Sequence, residues 1–192
     1  ITVIGPLDVD VGAGTNSGFA GHDLNITQNS LAAGNTTTIA GHFDVNNDIN
    51  IVNNGGTSTK LYIDGTLHTF ALYDGYSLIN VFSGGDLRLG PVNGGFGNSS
   101  TSDVWVAANG LNVALTGTIS ADDEFAFMAP NALTKIYTSA VVTAPDVDLT
   151  VLNLRGVQDG GAAYTSVGQK PTTQFVTNDF NVVATGTVNS PI

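Results

Sequence analysis

Residues 48–51, Asp48-Ile49-Asn50-Ile51, alternate polar with β-branched side chains. A period of two puts Ile49 and Ile51 on one face of an extended strand and Asp48 and Asn50 on the other. The same element, Asp followed by apolar-x-apolar, occurs as Asp23-Leu24-Asn25-Ile26, Asp86-Leu87-Arg88-Leu89 and Asp148-Leu149-Thr150-Val151. The successive gaps of 25, 38 and 62 residues approximate one, two and three units of roughly twenty, within the repeat lengths of solenoids.

Outward from this stretch the chain keeps the same style. Ile1-Thr2-Val3, Leu7-Asp8-Val9-Asp10-Val11 and Val104-Trp105-Val106 also alternate. Residues 121–137 open with Asp122, Asp123 and Glu124, which would suit a first helical turn, but Pro130 interrupts the segment and Phe125 and Phe127 are spaced by two. It is read as strand. Asn54-Gly55, Asp64-Gly65, Asp74-Gly75, Asn93-Gly94, Asn109-Gly110 and Asp159-Gly160 mark turns, where glycine supplies positive φ. The first three fall ten residues apart, a spacing that fits a hairpin meander or the half-rung of a coil. Ala20-Gly21-His22 returns as Ala40-Gly41-His42, and residues 111–119 match 180–188 at an offset of 69, which implies loops of unequal length between them. Residues 94–102 and 156–170, rich in Gly, Ser and Asn, are the expected insertions. No break in composition divides the 192 residues, so residues 1–192 form one β-rich repeat domain.

Composition narrows the function. Sixteen acidic residues against five basic ones give a net charge of −11, which disfavours phosphate backbones and anionic membrane surfaces, so no nucleic-acid partner is expected. Only 11% of residues are charged, against 24 Gly, 23 Thr and 19 Asn, so the surface is expected to be made polar by uncharged amides and hydroxyls. Thr suits exposed strand faces, and Asn in turns suits ladders of amides hydrogen-bonded from rung to rung. There is no Cys, hence no disulfide or thiolate site, and no apolar run approaches the ~20 residues of a membrane span. The chain starts at Ile1 without a basic or apolar leader, so any targeting signal lies outside these residues.

Candidate chemistry is sparse. Fifteen Asp and one Glu could furnish a carboxylate pair for glycoside cleavage, but Lys60, Arg88, Lys135, Arg155 and Lys170 are dispersed along the sequence, and most Asp residues sit in turns or beside strand starts where they cap backbone groups. His22 and His42 occupy equivalent repeat positions and could stack on adjacent rungs beside Asp23 and Asp44; a repeated residue at a solvated corner explains them more simply than a metal does. His68 is the third histidine. The Asp-rich turns lack both the EF-hand spacing and the calcium-binding nonapeptide, residues 12–18 are a loop without the dinucleotide fingerprint, and no Gly-x-Ser-x-Gly elbow occurs. Three glycosylation sequons, at Asn25, Asn35 and Asn98, are what this Asn, Ser and Thr content produces by composition alone. No catalytic, cofactor-binding or metal-binding residue is assigned, and no cofactor is expected.

Residues 44–51, 109–120, 129–144 and 146–156 resemble rungs of the right-handed parallel β-solenoids of secreted bacterial adhesins, the filamentous-haemagglutinin type and autotransporter passengers. The resemblance covers most of the chain in style, without a diagnostic signature or that family's N-terminal secretion domain. It implies an extracellular or cell-surface part that is elongated and adhesive or structural. The expected fold is therefore all-β, a right-handed parallel β-solenoid with rungs of roughly 20 residues. The alternative is a β-sandwich pilus subunit that donates its N-terminal edge strand, residues 1–11, to a neighbour.

The expected function is that of a structural subunit or segment of a self-assembling filament or adhesin, polymerising head to tail through β-edges. Ile1, Val3 and Ile4 at one end and Phe180, Val182 and Val183 at the other are the expected assembly edges, because neither end carries Lys or Arg to protect it. The expected partners are further copies of the chain, with a surface glycan or receptor possible in an adhesin. The alternative function is a carbohydrate-active β-helix protein, polysaccharide-binding or polysaccharide-cleaving.

Overall fold

The computed structural model describes residues 2–3, 8–10, 22–29, 33–71, 75–95, 101–137, 140–157, 175–186 and 188–189. In chain order, β1 (Thr2–Val3) and β2 (Asp8–Asp10) belong to the first coil. The next coil is β3 (Leu24–Gln28), β4 (Thr36–Ala40) and β5 (His42–Val45). It is followed by β6 (Ile49–Asn53), β7 (Lys60–Ile63) and β8 (Thr66–Thr69), then by β9 (Tyr76–Ser83), β10 (Asp86–Leu89) and β11 (Val92–Asn93). Then come β12 (Thr101–Ala108), β13 (Asn112–Leu115) and β14 (Ile119–Ser120). The bent strand β15 (Glu124–Tyr137) precedes β16 (Val142–Thr143), and the long β17 (Asp146–Val157) precedes β18 (Phe175–Val176). β19 (Asp179–Ala184) and β20 (Val188–Asn189) end the series.

Each strand pairs in parallel with its counterpart one coil away, so the chain is a parallel β-solenoid. One sheet runs through β1, β3, β6, β9, β12, the first half of β15, the first half of β17 and β19; a second runs through β2, β4, β7, β10, β13, the second halves of β15 and β17, and β20. The third is β5, β8, β11, β14, β16 and β18. No helix occurs among the described residues, and hence none is long and apolar enough to cross a membrane.

The alternation seen in the sequence is the alternation between interior and surface. On the first sheet Leu24, Ile49, Ile79, Val104, Phe125 and Val147 form one inward row, and Ile26, Ile51, Val81, Val106, Phe127 and Leu149 a second, every member buried. Ile39, Ile63, Leu89 and Leu115 line the second sheet, and Phe43, Leu67, Val92, Ile119 and Val142 the third. Each full side chain removed from water contributes about 1.5–3 kcal/mol, and stacking makes these rows one continuous core that no single coil could bury.

The β-sandwich alternative is overturned: the paired strands are parallel, and residues of the N-terminal stretch pair within their own chain, β1 with β3 and β2 with β4. The repeat also differs from roughly twenty. Leu24 is in register with Ile49, then Ile79, Val104, Phe125, Val147 and Phe180, steps of 25, 30, 25, 21, 22 and 33 residues. Because a coil has three sides, the ten-residue spacing of Gly55, Gly65 and Gly75 is one side of the 30-residue step between Ile49 and Ile79. Pro130 lies where β15 turns from the first sheet to the second, between the register pairs of Ala129 and Leu133. Of the expected insertions, residues 96–100 and 158–170 lie outside the described residues.

Corner glycines have a different role from the one expected. Of the turn pairs, only Gly75 has positive φ among the described residues. Gly65 stacks so closely on the coil before it that a Cβ would collide with the Gly41 backbone carbonyl. Backbone hydrogen bonds continue through this corner, from Asp64 N to Ile39 O and from Gly90 N to Ile63 O, both 2.8 Å, so the coils cannot part to make room.

Candidate functional site

The outer surface is built of columns, because a residue in register with its counterpart one coil away lies about 4.8 Å from it. On the first sheet one column reads Asn25, Asn50, Asn80, Trp105, Ala126, Asp148 and Asn181. Its amides form a ladder, with Asn50 Nδ2 donating to Asn25 Oδ1 at 3.4 Å and Asn80 Nδ2 to Asn50 Oδ1 at 2.7 Å. Asn54 Nδ2 donates to Asn29 Oδ1 at 2.8 Å beyond the strand ends. Amide ladders therefore run along a strand face as well as at a corner, where alone they were expected.

Trp105 ends the amide ladder. Trp105 is 42% exposed, Met128 nearby is 52% exposed, and the small Ala126 leaves a gap between Trp105 and Asp148. The result is an open groove of about 350 Å³ lined by Asn80, Trp105, Ala126, Met128, Asp148 and Thr150. Trp105 Nε1 donates to Glu124 Oε2 at 3.1 Å, which fixes the indole against the next coil. Tyr76 donates its hydroxyl to Asp103 at 3.0 Å, and partial burial together with that carboxylate pushes its phenol up to about 12.

At the edge of the same sheet stands an acidic column: Asp23, Asp48, Asp103, Glu124, Asp146 and Asp179, with Leu78 between Asp48 and Asp103. Asp48 N, Leu78 N and Glu124 N donate to the carboxylates of Asp23, Asp48 and Asp103 at 3.3, 2.9 and 3.3 Å, each from the following coil. These carboxylates cap backbone groups, as their positions beside strand starts suggested.

The basic residues are less scattered in space than in sequence. Arg88, Ala114, Lys135 and Arg155 occupy one register column of the second sheet, and Lys60 lies on the same sheet in register with Asp86. Arg88 pairs with Asp64, its Nε 2.6 Å from Oδ1, and lies 4.0 Å over the Tyr62 ring. Arg88, Ala114 and Lys135 line a cleft of about 200 Å³ together with Asp86 and Asn112. The expectation that these cations are dispersed is corrected to this extent; Lys170 lies outside the described residues.

The histidines are regrouped too. His22 precedes β3 on the first sheet and bonds to Asp23 at 2.9 Å, whereas His42 lies on the third sheet within the same coil, so the two are not equivalent positions. His42 meets His68 instead. His42 Nε2 and His68 Nδ1 both lie 2.9 Å from Asp44 Oδ1, His68 being the register partner of Asp44 one coil on.

At the assembly edges, Ile1 and Ile4 lie outside the described residues, and Val3 pairs with Gln28 in register. Phe180 and Val182 continue the two inward rows, in register with Val147 and Leu149. They are only partly buried against the core, while Val147 and Leu149 are 1% and 2% exposed. Val183 falls on the outer face and is 51% exposed. Among the described strands β19 pairs only with β17, so one edge of it carries no described partner. The Trp105 groove, the cation column and the shared Asp44 were missed in the sequence because each depends on register between coils of unequal length. Comparison of the chain with protein-family models, with curated proteins and with solved structures finds no match.

Proposed function

We propose that this chain is a structural segment of an extracellular filament or adhesin, a rod that extends head to tail by laying one copy's first coil on another copy's last. The observation that carries the proposal is the partial burial of Phe180 and Val182: they belong to rows that are fully buried wherever a further coil covers them. All three sheets are parallel, so the edge of β19 and the edge of β1 face opposite ways along the axis with complementary donors and acceptors. Such a contact is heterologous and does not close, so it yields a filament. An extracellular setting is in keeping with a composition rich in amides, hydroxyls and carboxylates.

Light scattering against protein concentration tests this reading. Particle mass should rise with concentration for the parent and fall for Val182→Lys and Val3→Lys, since Lys at an edge opposes strand addition. A parent that stays monomeric at high concentration, or Lys variants that grow as the parent does, would refute it.

A second reading, a carbohydrate-binding solenoid, is favoured by the cleft in which Arg88 and Lys135 flank Ala114. Lys135 carries the positive charge of this cleft, Arg88 being paired with Asp64, and offers a contact to a carboxylate of an acidic sugar chain laid along the axis. Retention of anionic but not neutral polysaccharides, lost in Lys135→Ala, would support it; no retention of either would dismiss it.

A further inference from the structure

We propose that His42, Asp44 and His68 form a binding site for a borderline divalent transition-metal ion such as zinc, clipping two adjacent coils together on the outer face of the third sheet. The fold itself makes them converge. His42 and Asp44 are two apart on β5, so they project from the same face, and Asp44 is in register with His68 on β8. The three ligand atoms all lie within 4.8 Å of one another. Both imidazole nitrogens already point at one carboxylate oxygen, at 2.9 Å each.

Zinc bonded at ~2.0–2.2 Å in a tetrahedron separates its ligand atoms by about 3.3 Å. The two 2.9 Å contacts of His42 and His68 with Asp44 therefore open by a few tenths of an ångström, and the two imidazole nitrogens, no more than 4.8 Å apart, settle at the same separation by small ring rotations when the ion binds. Two imidazoles and a carboxylate are a donor set for zinc, nickel, copper or cobalt, whereas calcium and magnesium require more oxygens. The site is sheltered yet reachable: the side chains of His42, Asp44 and His68 are 33%, 25% and 14% exposed. Phe70 packs on His68 with ring centroids 4.3 Å apart, which restrains the imidazole in the orientation the site requires. Three protein ligands leave a fourth position for water. Because the ligands come from strands 24 residues apart, the ion would hold β5 and β8 together without any change in the core.

Calorimetric titration of the full chain with zinc chloride tests the proposal, with cobalt absorption in the visible range as an independent readout of coordination. A single zinc equivalent should bind, and millimolar calcium should not compete. His42→Ala and Asp44→Asn should each weaken zinc at least about tenfold, and His22→Ala, on another sheet, should not. His42 and Asp44 are partly exposed, so these two variants decide the matter even if His68→Ala fails to fold; circular dichroism verifies their fold. Absence of zinc binding by the folded parent, or parent-like affinity in both His42→Ala and Asp44→Asn, would overturn the site.

Discussion

The carboxylate of Asp48 accepts the backbone N–H of Leu78 at 2.9 Å, one coil further along the chain. Asp86 does the same on the second sheet, accepting from Leu111 N at 2.9 Å and Asn112 N at 3.0 Å. A carboxylate at the start of a strand thus satisfies the first donors of the coil that covers it, beyond the point where the parallel ladder supplies acceptors. Asp23, Asp48, Asp86 and Asp103 are in this way structural.

Asp48→Ala should therefore destabilise the fold by about 1.5–3 kcal/mol, the usual worth of a hydrogen bond to a charged group. Urea unfolding of the two proteins would measure it. An unchanged midpoint would show that water replaces the carboxylate at Leu78 without loss.

Acid should weaken the same edge. The bond from His22, and the donors Asn47 and Asp48 N, hold Asp23 below the usual carboxylate range despite the opposing effect of burial. A carboxyl lowered in the folded state stabilises it above the unfolded value of about 3.9, and that contribution is lost as pH falls from there through the lower folded value. Melting temperatures of the parent and Asp23→Asn should converge across that acid window, and a constant gap between them would contradict the assignment.

At the alkaline end Tyr76 is the sensitive group. Its phenol, raised to about 12 by partial burial and by Asp103, favours the folded state below the unfolded value of about 10. That stability is lost as pH rises from there through 12. Absorbance titration of parent and Tyr76→Phe should show one tyrosine fewer ionising near pH 12 in the variant; a difference near pH 10 would refute the shift.

Gly65→Ala should cost at least about 1–3 kcal/mol, the range for overpacking a rigid site, because its Cβ meets the Gly41 carbonyl. Gly56→Ala, which meets nothing within 4 Å, should change little. Thermal melts of the pair separate close stacking from the general cost of replacing a turn glycine.

Strand character was legible in the sequence because inside and outside alternate strictly along every side of the coil, as in β6 and β12. The element at Asp23 and its copy at Asp48 do stack in register. Asp86 and Asp148 do not continue that pair: Asp86 begins a strand of the second sheet, and Asp148 aligns with Asn50 while Asp146 takes the place of Asp48. Likewise the match of residues 111–119 with 180–188 joins β13 of the second sheet to β19 of the first. Period two tells a residue which way it points, but its sheet and its height depend on corners whose lengths vary, and the steps range from 21 to 33. Hence His42 was matched with His22 when its neighbour is His68, and Lys135 was separated from Arg88 when one alanine lies between them in the column.

Electron microscopy with fibre diffraction of the concentrated protein tests the central claim, that the solenoid extends from copy to copy. The account predicts unbranched filaments one solenoid wide, with a meridional reflection near ~4.8 Å from coils continuing across each junction. Discrete short rods, monodisperse at every concentration and without that reflection, would contradict it.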